Sequence, residues 1–324
     1  MDRLSPLASV SATRETLARH GLATKKSLGQ NFLINDDILA KIVSLAELGE
    51  SDAVLEVGPG IGTLTIALLK HARCVVSVER DPDLPQVLEE TCAPWGDRFA
   101  LIQKDALDLG AGELKEAFSE MGCDDTAPAK LVANLPYAVA ATVVLGFFQR
   151  FPSLQSATVM VQKEVADRMA AEPGSKNYGA YTVKLGLYAQ PAGRFLVSPG
   201  NFFPPPHVDS SVIRLDRRTP EAVLAAVEDA EREGAPLAPT RDEAVEKLVA
   251  ATCIMADAAF ATRRKTLSNS CKTYFSGRGA EGKAVAAALP QLFEHAGIDS
   301  RRRGESLSQD EFIALGLALI VDRG

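Results

Sequence analysis

A five-residue apolar strand signal, Ala53-Val54-Leu55-Glu56-Val57, runs into Gly58-Pro59-Gly60-Ile61-Gly62 and then, without a break, into an apolar helical stretch. Glycines at such a junction let the chain turn sharply and let backbone approach a ligand closely, as happens where a buried parallel strand feeds a helix. The spacing is GxGxG, related to the GxGxxG of dinucleotide-binding loops but distinct from it, and it predicts a ligand with a nucleotide portion.

The rest of the chain agrees with a sheet of that kind. From about residue 50, short β-branched runs alternate with longer amphipathic stretches, the pattern of a largely parallel sheet covered by helices. Strands are predicted at Ala53 to Val57, Cys74 to Glu79, Phe99 to Gln103, Lys130 to Ala133, Ala157 to Gln162 and Ser210 to Leu215. Helices are predicted between them at about 62–71, 84–92, 112–120, 139–150 and 163–171. Ahead of the sheet, Ile38, Leu39, Ile42, Val43 and Ala46 have helical spacing behind an Asn35 cap. Near residue 218 the strand signals stop, and an Ala-, Leu- and Glu-rich helical periodicity continues to Leu319. The reading is an α/β, Rossmann-like doubly wound domain over 25–218, a smaller all-helical domain over 219–324, and an N-terminal extension of weak helical character over 1–24. The acidic 219–245 segment reads as part helix and part linker.

Composition removes several classes of function. Apolar stretches are interrupted before the roughly 20 residues that a membrane span needs, and the N-terminus lacks a signal-peptide core, so a soluble cytoplasmic protein, expected as a monomer, is predicted. The five cysteines and four histidines are scattered without ligand spacing, which argues against a disulfide framework, a metal site or a histidine relay. The chemistry is therefore expected from a bound cofactor. A net charge of −7 counts against a nucleic-acid partner. Its distribution reverses that inference locally: residues 261–278 hold Arg263, Arg264, Lys265, Lys272 and Arg278 and no acid.

Three predicted strand ends converge on one ligand site. Gly58 and Gly60 close the first strand, and Glu79 closes the second, where a carboxylate can accept from both hydroxyls of a ribose. Asp105 follows the third, placed to accept from an adenine amino group. The fourth strand delivers Asn134-Leu135-Pro136-Tyr137 into the same crevice. An aromatic amine such as adenine N6 is a poor nucleophile because its lone pair is delocalised. The Asn134 side-chain oxygen and the Leu135 carbonyl would accept its two hydrogens and localise that lone pair for attack on a methyl sulfonium. Pro136 fixes the backbone, and Tyr137 offers a ring to a base taken out of its stack. A second aromatic clamp is expected from the proline-stiffened loop at Phe202-Phe203-Pro204-Pro205-Pro206, with Phe202 the chosen ring.

These residues resemble the ribosomal RNA adenine dimethyltransferase family that modifies small-subunit RNA. The resemblance rests on Lys26-Ser27-Leu28-Gly29-Gln30-Asn31-Phe32-Leu33, the glycine loop, Asn134 to Tyr137, Gln162-Lys163-Glu164-Val165, Tyr178-Gly179, Phe202 to Ser211 and Arg263 to Leu267. It implies S-adenosyl-L-methionine as cofactor and S-adenosyl-L-homocysteine as product. Asn31 and Leu33 would help hold the cofactor, with Gly58, Glu79 and Asp105 at its methionine end, ribose and adenine, and Asn134 serving cofactor and target alike. The implied substrate is two adjacent adenosines in the 3′-terminal hairpin loop of 16S rRNA within the immature small subunit. Such a loop can present unstacked bases. Lys25, Lys26, Arg263, Arg264 and Lys265 would contact RNA phosphates, with Arg301 to Arg303 as further candidates. Ala138-Val139-Ala140-Ala141 departs from the family's usual polar residues, and the acidic segment is longer than the family pattern. Two alternatives stand beside this reading: the related 23S rRNA methylating family that confers macrolide resistance, and a mainly non-catalytic role in subunit assembly.

Overall fold

A computed structural model describes residues 3–25, 29–123 and 128–321. The elements in chain order are α1 (Val10–Arg19), β1 (Phe32–Leu33), α2 (Asp36–Ala46), β2 (Ala53–Val57), α3 (Thr63–Leu69), β3 (Cys74–Glu79), α4 (Pro85–Cys92), β4 (Phe99–Gln103), α5 (Ala111–Glu120), β5 (Lys130–Asn134), α6 (Ala140–Arg150) and β6 (Ser156–Gln162). There follow α7 (Lys163–Met169), α8 (Ala180–Gly186), β7 (Ala189–Val197), β8 (Phe202–Phe203), β9 (Ser210–Arg217), α9 (Glu221–Arg232), α10 (Arg241–Phe260), α11 (Leu267–Ser276), α12 (Gly279–His295) and α13 (Gln309–Val321).

The main sheet has the order β4-β3-β2-β5-β6-β9-β7. Strands β2 to β6 pair in parallel, and β9 joins β6 antiparallel. β2 and β3 are buried along their whole length, so they read as mainly apolar runs, interrupted by Glu56, Ser77 and Glu79, and not as alternating ones. α2 begins at Asn35, whose side chain accepts from the Asp37 amide at 2.9 Å, the cap expected from the sequence.

β7 breaks the predicted pattern. Its sequence, AQPAGRFLV, contains Pro191 and Gly193, which weaken any strand signal, and it lies at the end of the sheet order, where a residue without an N–H is tolerated. The N-terminal extension also carries more order than its composition suggests. α1 is capped by Ser9, and Leu7 and Leu17 bury against Phe32, Ile61 and Ile66.

By contact density the chain forms two units, one of residues 1–166 and 191–217, the other of 167–190 and 218–324. A single break at 218 was expected from the end of the strand signals. The segment 167–190 instead falls with the helical unit, because Tyr178, Val183 and Leu187 bury among helical residues such as Met255, Leu248 and Phe312. In that unit α10 and α13 approach closely, and a methyl at Gly316 would stand 2.4 Å from Thr252 Oγ1. The acidic 219–245 segment forms α9 and the approach to α10, with Val223 and Val227 fully buried.

Cys74, at the start of β3, and Cys123, after α5, bring their sulfurs together across 49 residues, a proximity that carries no sequence signal. Cys92, Cys253 and Cys271 are free. Among the described residues no cluster of His, Cys, Asp and Glu could hold a metal ion, and no helix is long and apolar enough to cross a membrane.

Candidate active site

β2 and β5 lie side by side, yet the chain leaves β2 for β3 and β4 on one flank and returns to β5 and β6 on the other. This is the switch point of an open α/β sheet, where loops diverge and leave a crevice at the carboxyl ends of the strands. Gly58 to Gly60 and Asn134 to Tyr137 face one another there, lining a cavity of about 90 Å³ together with Asn31, Phe32 and Glu79. An adjoining cavity of about 330 Å³ shares Gly58, Glu79, Pro136 and Tyr137 and adds Asp105 and the apolar Val57, Val78, Ala106 and Val139. The Ala138-Val139 departure thus supplies apolar wall beside Asp105.

The glycines are needed for conformation and for space. Gly58, Gly60 and Gly62 have φ of 70°, 61° and 91°, a region that side chains rarely enter. A Cβ on Gly60 would lie 2.9 Å from Cε1 of Phe32, and one on Gly62 would lie 2.9 Å from Thr91 Oγ1. Phe32 is set there by β1, which pairs antiparallel with β8 so that Phe32 faces Phe203 and Leu33 faces Phe202.

Two buried carboxyls flank this turn. Glu79 accepts from the Asp81 amide at 2.7 Å and the Gly60 amide at 3.4 Å. Burial raises its pKa above the ordinary carboxylate value, against the pull of those hydrogen bonds. Glu56 accepts from Thr65 Oγ1 and Ser77 Oγ, each at 2.7 Å, and burial pushes its pKa up to about 7. Asp105 is half-buried. Its Oδ1 accepts from the Leu107 amide at 3.0 Å, and its Oδ2 is 3.3 Å from Arg80.

The tetrapeptide is held at both ends. Asn134 Nδ2 donates to the Asn31 carbonyl at 3.1 Å, which commits the amide nitrogen and orients the oxygen as an acceptor. Leu135 N–H donates to the Met160 carbonyl at 3.1 Å, and Val139 N–H closes a turn onto Pro136 O at 3.1 Å. Tyr137 Oη and Ser210 Oγ are 2.7 Å apart, tying the ring to β9. Burial raises the phenol pKa, so Tyr137 contributes a neutral ring and hydroxyl.

The remaining predicted residues divide. Asn31, Leu33, Gly58, Gly60, Glu79, Asn134, Leu135, Pro136 and Tyr137 line the first cavity, and Asp105 the second. Phe202 does not stand open as a clamp: it is 3% exposed and packs with Leu33, Val132 and Met160 in the core, because β8 turns alternate side chains to opposite faces. Phe203 is the more exposed ring. Lys25 is not presented to solvent phosphate; its ammonium meets Asp81 at 2.6 Å and Asp83 at 2.5 Å. Lys26 lies outside the described residues. Arg263 bonds the Lys176 carbonyl and approaches Glu305 at 3.6 Å, whereas Arg264 and Lys265 are exposed. The run Arg301 to Arg303 pairs with Asp299, Glu311 and Glu305.

Sequence reasoning missed Asp81, Gln30, Phe32 and the buried Glu56 as parts of this site. Asp81 is 2% exposed and accepts from Lys25 and from Gln30 Nε2 at 2.7 Å. Burial would raise its pKa, but those donors and the Asp83 amide hold it below the usual range. The signal available was its place two residues beyond Glu79, where the strand has ended and a carboxylate must still be buried.

Residues 21–229 match the ribosomal RNA adenine dimethylase family. The chain belongs to that family. It is 38% identical over 309 residues to ribosomal RNA small subunit methyltransferase A of Staphylococcus aureus strain Newman, covering 95% of this chain and 94% of that one. The S. aureus strain JH9 protein of the same name is 37% identical over equal coverage. Among solved structures, a dimethyladenosine transferase from Plasmodium falciparum superposes with a TM-score of 0.64 at 23% identity, covering 88% of this chain and 95% of that one. The 23S rRNA methyltransferase ErmE gives 0.56 at 23% identity, over 89% and 99%. At that identity both attest the shared fold.

This dimethylase is an S-adenosylmethionine-dependent enzyme acting on ribosomal RNA. Its own crevice fits that donor: a turn whose Gly58 and Gly60 carry no side chain into the cavity, a buried carboxylate at Glu79 for vicinal hydroxyls, and an apolar recess ending in Asp105 for a purine.

Proposed function

We propose that this dimethylase converts two adjacent adenosines in the 3′-terminal hairpin loop of 16S rRNA to N6,N6-dimethyladenosine on the immature small subunit, acting as a cytoplasmic monomer. The single observation that supports the reading best is the seating of Asn134-Leu135-Pro136-Tyr137 across one crevice from the glycine turn. The name shared by its S. aureus relatives specifies the small subunit.

When bound, S-adenosylmethionine supplies an electrophilic sulfonium methyl. Gly58 would receive the methionine end, Glu79 would accept from the ribose hydroxyls, and Asp105 would accept from the adenine amine. Asn31 serves by fixing Asn134 through its carbonyl, and Leu33 by seating β1. Asn134 Oδ1 and the Leu135 carbonyl accept the hydrogens of the target N6, raising the electron density of its lone pair. Tyr137, anchored to Ser210, stacks on the base. A monomethylated amine keeps one hydrogen, so one of the two acceptors still serves the second transfer. Arg264 and Lys265 contact RNA phosphates.

The test is transfer of labelled methyl from S-adenosylmethionine to small subunits from a strain lacking this modification, followed by mass spectrometry of the RNA nucleosides. Dimethyladenosine at two adjacent positions is the expected result. Incorporation into large-subunit RNA instead, or none at all, would overturn it.

A further inference from the structure

Among the described residues, several cations around the crevice are ion-paired. Lys25 is held by Asp81 and Asp83, Arg80 by Asp105, Lys104 by Glu113, and Arg19 by Glu90. An ion-paired side chain meets a phosphate with part of its charge already offset by the neighbouring carboxylate, so it attracts the phosphate less than an unpaired cation does. Arg14, on the exposed side of α1, is different. Among the described residues it has no carboxylate partner, and its guanidinium lies 4.9 Å from the centroid of the Phe203 ring.

The place of that ring matters. Phe203 is paired across β1 and β8 with Phe32, whose ring covers Gly60. Phe203 also belongs to the apolar cluster that Leu7 and Leu17 bring from the N-terminal segment. A cation–π contact restrains the guanidinium beside the ring without using its N–H groups as an ion pair would, which lowers the side-chain freedom lost on binding a phosphate. α1 is anchored at its far end by Arg19 and His20 on Glu90, so Arg14 stands on a fixed element.

We infer that Arg14, held over the Phe203 ring, is a substrate-positioning residue that binds a backbone phosphate of the RNA strand flanking the target adenosine. The inference rests on the RNA-methylating reading of the crevice. Residue 14 lies before the stretch matched by the family model, 21–229, on the N-terminal helix that precedes β1.

The experiment compares wild type, Arg14→Ala and Arg14→Lys in methyl transfer to small subunits across a salt series, with calorimetric binding of S-adenosylmethionine alongside. Arg14→Ala is expected to raise the KM for RNA about tenfold with cofactor affinity unchanged. The slope of log KM on log salt should fall by about 0.7 to 0.9, the loss of one phosphate contact. Arg14→Lys should restore the slope but only part of the KM, because an ammonium does not stack as a plane. An unchanged slope in Arg14→Ala, or a loss confined to cofactor affinity and melting temperature, would show that Arg14 merely props α1 and would overturn the inference. Failure of the wild type to methylate small-subunit RNA would remove the underlying reading instead.

Discussion

Asn134 would do two things with one amide: one of its N–H groups donates to the Asn31 carbonyl, and its oxygen would accept from an incoming amine. Replacing it by alanine removes one of two acceptors and frees the loop, so methyl transfer should fall by roughly 100-fold or more while RNA binding is kept. Filter binding beside single-turnover transfer checks both; if subunit maturation proceeds normally in that variant, binding is the larger part of this protein's role. Glu56 offers a test of burial. Its folded pKa of about 7 lies above the ordinary 4.5, so the folded protein retains a proton that the unfolded chain has lost, and stability falls as pH rises through that window. Glu56→Gln keeps an acceptor for Thr65 and Ser77 without the buried charge. It should therefore raise the unfolding free energy at pH 8 by on the order of 3 kcal/mol relative to its effect at pH 5, read from thermal melts at the two pH values.

At the scale of elements, the strand-turn-helix at β2 and α3 is where local code and site coincide. Gly60→Ala combines a left-handed φ of 61° with a 2.9 Å approach to Phe32. Cofactor affinity measured by calorimetry should drop at least tenfold, with a stability loss of about 1–2 kcal/mol. The strands β2 to β6 and β9 were legible because each is a short run rich in apolar and β-branched residues between turn residues. β7 was not, since Pro191 and Gly193 mark a loop unless a neighbouring strand accepts the chain as an edge. β1 and β8 have two residues each, too few for any period, yet they decide which phenylalanine is buried. An expectation built on the FFPPP run could not choose between Phe202 and Phe203. The choice depends on β8 pairing with a strand 170 residues earlier, Phe203 against Phe32 and Phe202 against Leu33.

For the whole molecule, the acidic total and the RNA substrate are reconciled by where charge is left unpaired. Arg264 and Lys265 are exposed on the helical unit, and changing both to alanine should weaken RNA binding about tenfold in physiological salt and lower its salt slope by about one to two. Cofactor affinity should not move, and a fluorescence-anisotropy salt titration with calorimetry separates the two. What the chain determined by itself was the order of strand, turn and helix, the glycine loop, the carboxylates at the strand ends and the Asn134 to Tyr137 segment, because φ preferences and hydrophobic period act over a few neighbouring residues. Only the tertiary structure decided that Lys25 is spent on Asp81 and Asp83, that Cys74 meets Cys123, that 167–190 joins the helical unit and that Arg14 keeps an unpaired charge beside Phe203. Those outcomes depend on partners many tens of residues away, and which groups meet follows from packing that no local spacing encodes.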